Sequence, residues 1–363
     1  MGVLVYNNAD LGWGGWIGKS TGGEYAAVLC EQFAGDGIVA YIDIFGTPTK
    51  IGATQTSAII FGSGNVVNRV AAVIDSNNVI HVVSITSGDR TRDIAYNTIS
   101  NIDGTPAWGT WEEVQAHDVV AGMLDWHVDI TVDSNDIPHV LHTQFTTIHG
   151  TSYLGVYYTN RIGGTWALSV DDPMSSPQAN YSIPKISIKA SDELEAMFYG
   201  RDDGDQYYNN TSGGSWGTQS SYADSNARTG NQSMLIAVGG TVYRIHHAGG
   251  NIKEDGVDTT YNTLSSGDPY VEGGSFIEPS DRYIFYVDAI SDDIHLIKNT
   301  GSGWVDVGVV VTGTFEGCIV GWQYLNHNPV DEILFLYEDD SFDVYCETYS
   351  LAEVTRRIFI THV

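Results

Sequence analysis

Four side chains in this sequence have the chemistry for β-elimination on a uronate: His142, Tyr199, His246 and Arg201. Arginine and histidine neutralise a substrate carboxylate and so ease loss of the neighbouring C5 proton, and tyrosine takes and returns protons. They emerge when seven apolar strands are aligned on the polar turns that precede them. Ala40, His81, His139, Ala196, Tyr243, Phe285 and Phe335 then share one level. Three residues further on stand Asp43, Ser84, His142, Tyr199, His246, Asp288 and Glu338, all polar or ionisable in strands that are otherwise apolar. Strand alternation puts the second level on the opposite face from the first, and a one-residue slip exchanges the faces. Arg69, His127 and Lys185, at the starts of the preceding strands, are expected on the same side, with Gln144 and Arg201 at the strand ends. Such a ring also offers donors and acceptors to sugar hydroxyls, with Trp126, Tyr207 or Tyr208 as a stacking face. Three readings of this level stand side by side: strand ends turning polar where they meet solvent, a binding site for a polar ligand, and catalysis.

The elements that must hold these residues form a repeat. Each unit reads as an apolar strand a, a turn of Asp, Ser, Asn or Gly, an apolar strand b, a longer loop, a Tyr-rich strand c, a Gly-Trp turn and a last strand d. The a–b hairpins Val70–Ser84 and Ile130–His142 share Asp75-Ser76-Asn77-Asn78 and Asp133-Ser134-Asn135-Asp136 turns, each followed by an apolar pair and a histidine. Asn, Asp and Gly accept positive φ at little cost, which makes such turns a hairpin signal. The Gly-Trp turn is clearest in Tyr158–Trp166 and Tyr208–Trp216, and recurs in Lys298–Trp304, Tyr96–Trp111 and an opening copy from Tyr6 to Trp13 and Trp16. Small antiparallel sheets repeated at this spacing cannot bury their faces alone and stack radially. The expectation is therefore an all-β, single-domain β-propeller over residues 1–363. Hairpins centred near Gly35, Asn77, Asn135, Asp192, Gly239, Asp281 and Asn328 give seven four-stranded blades, with six or eight as alternatives. Val3–Lys19 reads as an orphan c–d pair that closes the ring beside the C-terminal strands, although Phe342–Tyr349 and Arg357–Val363 compete for those places. Closure removes exposed strand edges.

Composition narrows the partners. Asp and Glu number 45 against 16 Lys and Arg, a net charge of −29. Phosphate backbones need clustered cations, so nucleic acid is excluded, and so is an anionic membrane surface. The sequence has no apolar stretch of membrane-spanning length and opens without the basic and apolar regions of a signal peptide. Cys30, Cys318 and Cys346 sit in apolar strand contexts and give no disulfide framework. No cofactor is expected. Arg201-Asp202-Asp203-Gly204-Asp205 looks like part of a calcium loop but lacks the twelve-residue pattern and its closing Glu. His81 and His139 read as hydrogen-bonded core residues, and adjacent His246 and His247 point to opposite faces, so only one of them serves a given site.

At its Gly-Trp turns the chain resembles the Asp-box propellers, the sialidase-like group, whose repeat is Ser-x-Asp-x-Gly-x-x-Trp between strands c and d. Thr159-x-Arg161-x-Gly163-x-x-Trp166 and Asn209-x-Thr211-x-Gly213-x-x-Trp216 keep the Gly and Trp and lose the Asp, while Asn8-x-Asp10-x-Gly12 keeps the Asp and moves the Trp. The resemblance implies fold rather than activity, and the Trp is expected to pack between blades. It carries no sialidase machinery, because no Arg stands in that family's N-terminal Arg-Ile-Pro context. Propeller polysaccharide lyases, including ulvan lyases, use His and Tyr on this architecture, a likeness of residue types only. The reading favoured by the sequence is recognition of a glycan or similar surface ligand, as in a virion fibre or tail component at an extracellular surface. The alternatives are a lyase or glycoside hydrolase acting on an acidic polysaccharide, and a scaffold contacting protein partners.

Overall fold

The computed structural model describes residues 3–7, 14–31, 37–61, 66–87, 94–115, 127–148, 151–167, 181–189, 191–200, 203–222, 233–238, 241–248, 251–262, 274–278, 281–287, 291, 293–313, 315–320, 332–339, 341 and 343–350. Among these residues the strands form seven antiparallel sheets. Blade 1 runs outward from Gly15–Lys19 through Tyr25–Cys30 and Gly37–Ile42 to Thr49–Lys50. Blade 2 is built on Val66–Ile74, Ile80–Ser87 and Ile94–Ser100, and blade 3 on Val128–Val132, Pro138–Ile148 and Thr151–Ile162. Blade 4 follows with Tyr181–Ile188, Leu194–Gly200 and Gln206–Ser212, flanked outside by Ser215–Trp216 and Ser220–Tyr222. Blade 5 holds Ser233–Val238, Thr241–Ala248, Asn251–Glu254 and Val257–Asn262. Blade 6 holds Gly274–Glu278, Asp281–Val287, Ile294–Asn299 and Trp304–Val311. In blade 7 the order is Phe315–Val320, Glu332–Asp339, Asp343–Ser350 and then Val3–Asn7. Innermost strands of successive blades are neighbours, and that of blade 7 lies against Gly15–Lys19 of blade 1, so the ring is closed. The fold is the expected β-propeller.

The core sits in the seams between blades rather than inside any one of them. Strand b alternates so that one face meets the preceding blade and the other the following one. Val82 packs with Ala40 and Ile74 toward blade 1, whereas Val83 packs with Val128 and Val140 of blade 3. Leu141 and Phe198 fill the next seam, and Met197 with Leu235 the one after it. The Trp of the Gly-Trp turn belongs to these seams, as expected. Trp166 of blade 3 meets Tyr96 of blade 2 edge-on at 5.0 Å, and Trp216 of blade 4 meets Tyr158 of blade 3 at 5.4 Å. Trp108 and Trp111 tie blade 2 to blade 1 through Nε1 bonds of 3.0 Å to the Ile51 carbonyl and to Gln55 Oε1.

A belt of a–b turns adds a second tie. The fourth turn residue is left-handed in four blades: Gly23 (φ 97°), Asn78 (60°), Asp136 (60°) and Asp192 (59°). Glycine, asparagine and aspartate tolerate that conformation best. Where this residue has a side chain, it accepts from the turn of the preceding blade. Asn78 Oδ1 accepts from Thr21 N (2.9 Å), Asp136 from Ser76 N (2.9 Å) and Oγ (2.8 Å), and Asp192 Oδ1 from Ser134 N (3.0 Å).

Closure differs in detail from the expected form. Val3–Asn7 alone joins blade 7, pairing with Asp343–Ser350, while Gly15–Lys19 is the innermost strand of blade 1. Trp16 therefore lies inside a strand a, and residues 8–13 of the opening turn copy lie outside the described residues. It follows that the first a–b turn is Ser20–Glu24, and the connection around Gly35 joins strands b and c. Asp343–Ser350 is the third strand of blade 7, and Arg357–Val363 falls outside the described residues.

Candidate functional site

Strand b ends, b–c loops and d–a connections share one mouth of the ring; a–b and c–d turns share the other. Ser84 lies opposite Val70, His142 opposite Val128, Tyr199 opposite Ser182 and His246 opposite Ser233. Strand b of blade 2 runs on to Ser87 and that of blade 3 to Ile148, whereas Tyr199 and His246 are near the mouth end of their strands b. Glu338 is likewise near the b–c turn of blade 7. All five are buried.

The faces divide this set. Val82 and Val140 face the preceding blade, so Ser84 and His142, two residues further on, do so too. His246 also faces back, stacking on Tyr222 of blade 4 at 5.1 Å and 12°. His142 stacks on Tyr157 of its own blade at 5.9 Å. Tyr199 alternates with Phe198, which faces blade 3, and so follows Met197 toward blade 5. Glu338 follows Leu334 and Leu336 toward blade 1. The expected single ring is thus two interleaved sets. In blade 4 the cause is a one-residue slip. Lys189 N bonds the Glu193 carbonyl as Asp75 N bonds that of Val79, so Glu195, not Ala196, stands where His81 and His139 stand.

Asp43 does not belong to the mouth. It begins the c–d turn of blade 1 at φ 52°, its N–H donates to Glu24 Oε1 (2.7 Å), and its carboxylate accepts from Thr47 N (3.1 Å). The slip there came from taking strand c of blade 1 for strand b. Asp288, Arg201 and Trp126 lie outside the described residues. Of the flanking residues, His127 is buried against Thr143, its N–H donating to Thr143 Oγ1 (2.9 Å). Arg69 is half-buried and its carbonyl accepts from Ser84 Oγ (3.0 Å). Lys185 is half-buried on the innermost strand of blade 4.

Lys185 neighbours a carboxyl that the strand alignment missed. Asp129, on the innermost strand of blade 3, accepts from Ile186 N of blade 4 (2.8 Å). Burial pushes its carboxyl above the usual range, against the pull of Lys185 and of the Ile186 amide. Its sequence signal was a lone Asp in an otherwise apolar strand a, Val128-Asp129-Ile130-Thr131-Val132.

His81 and His139 are core residues as expected, in matching chains. Asp75 Oδ1 accepts from Asn77 N and Val79 N (2.8 Å each), and its Oδ2 meets His81 Nε2 at 3.0 Å. His81 Nδ1 meets Tyr96 Oη at 2.6 Å. In blade 3, Asp133 Oδ1 accepts from Asn135 N (2.8 Å) and Ile137 N (2.9 Å), Oδ2 faces His139 Nε2 at 3.5 Å, and Nδ1 meets Tyr158 Oη at 2.7 Å. In blade 4 Glu195 is instead gripped by Arg244 of blade 5, with Nε at 2.6 Å and Nη2 at 2.5 Å, and Lys189 Nζ is 3.4 Å away.

In the loop expected to resemble a calcium site, Asp203 Oδ1 accepts from Asp205 N (3.0 Å) and its other oxygen from the Tyr207 hydroxyl. Among the described residues, no group of three or more His, Cys, Asp or Glu is placed to hold a metal ion. No described helix is long and apolar enough to cross a membrane.

A scan against protein-family models finds no match, and neither does a comparison with curated proteins. Solved structures match along nearly the whole chain. The chain is similar to a polysaccharide lyase at 11% identity and TM-score 0.56, covering 96% of this chain and 91% of the other. An α-L-arabinanase from Penicillium chrysogenum, complexed with arabinobiose, matches at 10% identity and TM-score 0.55, covering 97% and 98%. A Hadza microbial sialidase matches at 11% identity and TM-score 0.53, covering 93% and 65%. These likenesses show a β-propeller whose structural neighbours are carbohydrate-active proteins.

Proposed function

We propose that this chain is a carbohydrate-active propeller that acts on a polysaccharide at the mouth where strands b end, by lyase or glycosidase chemistry. The observation that carries the reading is that Tyr199 faces blade 5 and His246 faces blade 4, so both turn toward one seam near the mouth. The structural neighbours support it, being a lyase, an arabinanase and a sialidase by name. In the lyase form, Tyr199 Oη takes the C5 proton and returns it to the oxygen that leaves C4 as the C4=C5 double bond forms, while His246 and Arg201 neutralise the carboxylate. Against a net charge of −29, Arg69 and Lys185 are the cations that make the mouth locally tolerant of an acidic chain. In the glycosidase form, the raised carboxyl of Asp129 is the acid that protonates a leaving oxygen.

A panel of acidic and neutral polysaccharides tests this on one sample, with ultraviolet absorbance reading unsaturated product, reducing ends reading hydrolysis and an array reading binding. Unsaturated product that disappears in Tyr199→Phe is the lyase result. Reducing ends without absorbance, lost in Asp129→Asn, is the glycosidase result. Binding without either product removes catalysis and leaves a recognition module, with the same residues as contacts, as in a virion fibre. Silence in all three channels overturns the reading in favour of a protein-binding scaffold.

A further inference from the structure

The Asp–His–Tyr chains of blades 2 and 3 lie far from the mouth, directly beneath the belt of a–b turns, and catalysis at the mouth leaves them unused. We propose that Asp133–His139–Tyr158 is an acid-sensitive clasp that holds the turn belt shut at neutral pH and loosens it in mild acid.

Partner chemistry fixes the tautomer. An ionised carboxylate only accepts, so the imidazole hydrogen sits on Nε2, facing Asp75 or Asp133. Nδ1 is then the acceptor and the phenol donates to it. In His139 a second proton must go onto Nδ1, where donor would meet donor at 2.7 Å. The phenol hydrogen has to swing away. In blade 3 the phenol oxygen already accepts from Asn160 Nδ2 at 2.9 Å, which crowds it further. The other charged groups around His139 are Asp133 on its own turn and Asp192 on the turn of blade 4, while the ring of Trp216 covers Tyr158. Burial holds His139 below the ordinary histidine range, outweighing the pull of Asp133.

The same carboxylates set the turns, and this is how the proton reaches the belt. Asp133 holds two amides of a turn whose Ser134 donates to Asp192 in blade 4 and whose Asp136 accepts from Ser76 in blade 2. Moving Asp133 therefore slackens the seams on both sides of blade 3. Blade 4 is the built-in control, since Lys189, Glu195 and Arg244 fill the equivalent places with no imidazole.

The sign follows from the depressed His139. Its contribution is complete above the unfolded value of about 6.5 and is lost as pH falls below it toward the folded value. Amide exchange of the full chain, expressed as protection relative to the intrinsic rate at each pH, is the test. Between about pH 7.5 and about pH 5, protection at Asn135 and Ile137 is expected to fall about tenfold for each unit below the onset. Leu194 in blade 4, whose N–H donates to Thr211 Oγ1 within that blade, stays level, and His139→Gln, which keeps a donor and an acceptor but cannot titrate, flattens the response. Equal responses in wild type and His139→Gln, equal responses in blades 3 and 4, or no response overturn the proposal. Should His139→Gln fail to fold, the wild-type imidazole is titrated by NMR alongside the amides, and a mismatch of their midpoints overturns it equally.

Discussion

The second residue of strand b is His81 in blade 2, His139 in blade 3 and Glu195 in blade 4, and all three are buried. In the first two the slot is filled by a hydrogen-bonded chain that begins and ends within one blade, from the a–b turn to the tyrosine of strand c. In the third it holds a charge whose partner, Arg244, comes from the next blade and lies 4.1 Å over the ring of Tyr208. Blade 6 repeats the second solution, with Arg282 bonded to Glu254 of blade 5 (Nε 3.1 Å, Nη2 2.7 Å) and 3.9 Å over Tyr243. A ring of like blades thus solves the burial of polar groups in two ways. Hydrogen-bond chains order a blade internally and hold its neighbour through the turn belt, whereas ion pairs cross the seam directly.

The comparison makes its strongest demand at Arg244. Arg244→Met leaves Glu195 buried with only Lys189 nearby and is expected to cost about 3–5 kcal/mol in urea unfolding, toward the lower end because of that lysine. The double change Arg244→Met with Glu195→Met should recover most of the loss, since a buried pair replaced by apolar groups is often near neutral. If the double variant is no better than the single one, the pair is not the unit that holds this seam. A smaller effect is expected in blade 3. Tyr158→Phe removes the phenol between His139 and Asn160, and about 1–3 kcal/mol should be lost because buried partners are stranded. A loss matching that of Arg244→Met would erase the distinction between the two solutions. The smallest effect belongs to the exposed belt. Asp136→Ala deletes the acceptor of Ser76 N, Ser76 Oγ and Asn77 Nδ2 and leaves a β-carbon at φ 60°, and about 1 kcal/mol is expected by thermal melting. Asp136→Gly should recover part of this by relieving the backbone alone.

Much of this architecture was legible because the turns repeat. Asp75-Ser76-Asn77-Asn78 and Asp133-Ser134-Asn135-Asp136 carry in their letters the carboxylate that caps the turn and the residue that goes left-handed. Register was harder. Asp192 was matched to Asn77, but its φ of 59° makes it the counterpart of Asn78, and that single step turned Tyr199 to the other face. Positive φ is shared by Asn and Asp at either position, so composition does not separate them. In blade 1 the turn Ser20-Thr21-Gly22-Gly23-Glu24 has no Asp or Asn, and the two tryptophans upstream drew the Gly-Trp pattern onto the wrong strands. The role of Asp129, unlike its place in an apolar strand, was hidden for another reason. Its role depends on an amide of the neighbouring blade, and no spacing along one chain records a contact between strands 57 residues apart.

Val3–Asn7 pairs with Asp343–Ser350, so the first described strand is joined to the last. On a ribosome adding about 5–20 residues per second, Val3 waits on the order of tens of seconds for Cys346 to exist. Throughout that time six blades can stack, but the ring has two open flanks, one of them the innermost strand of blade 1. Synthesis thus has a clock in it: the interval between emergence and closure is when strand edges are offered to other chains, and it lengthens with every pause before Cys346 is made.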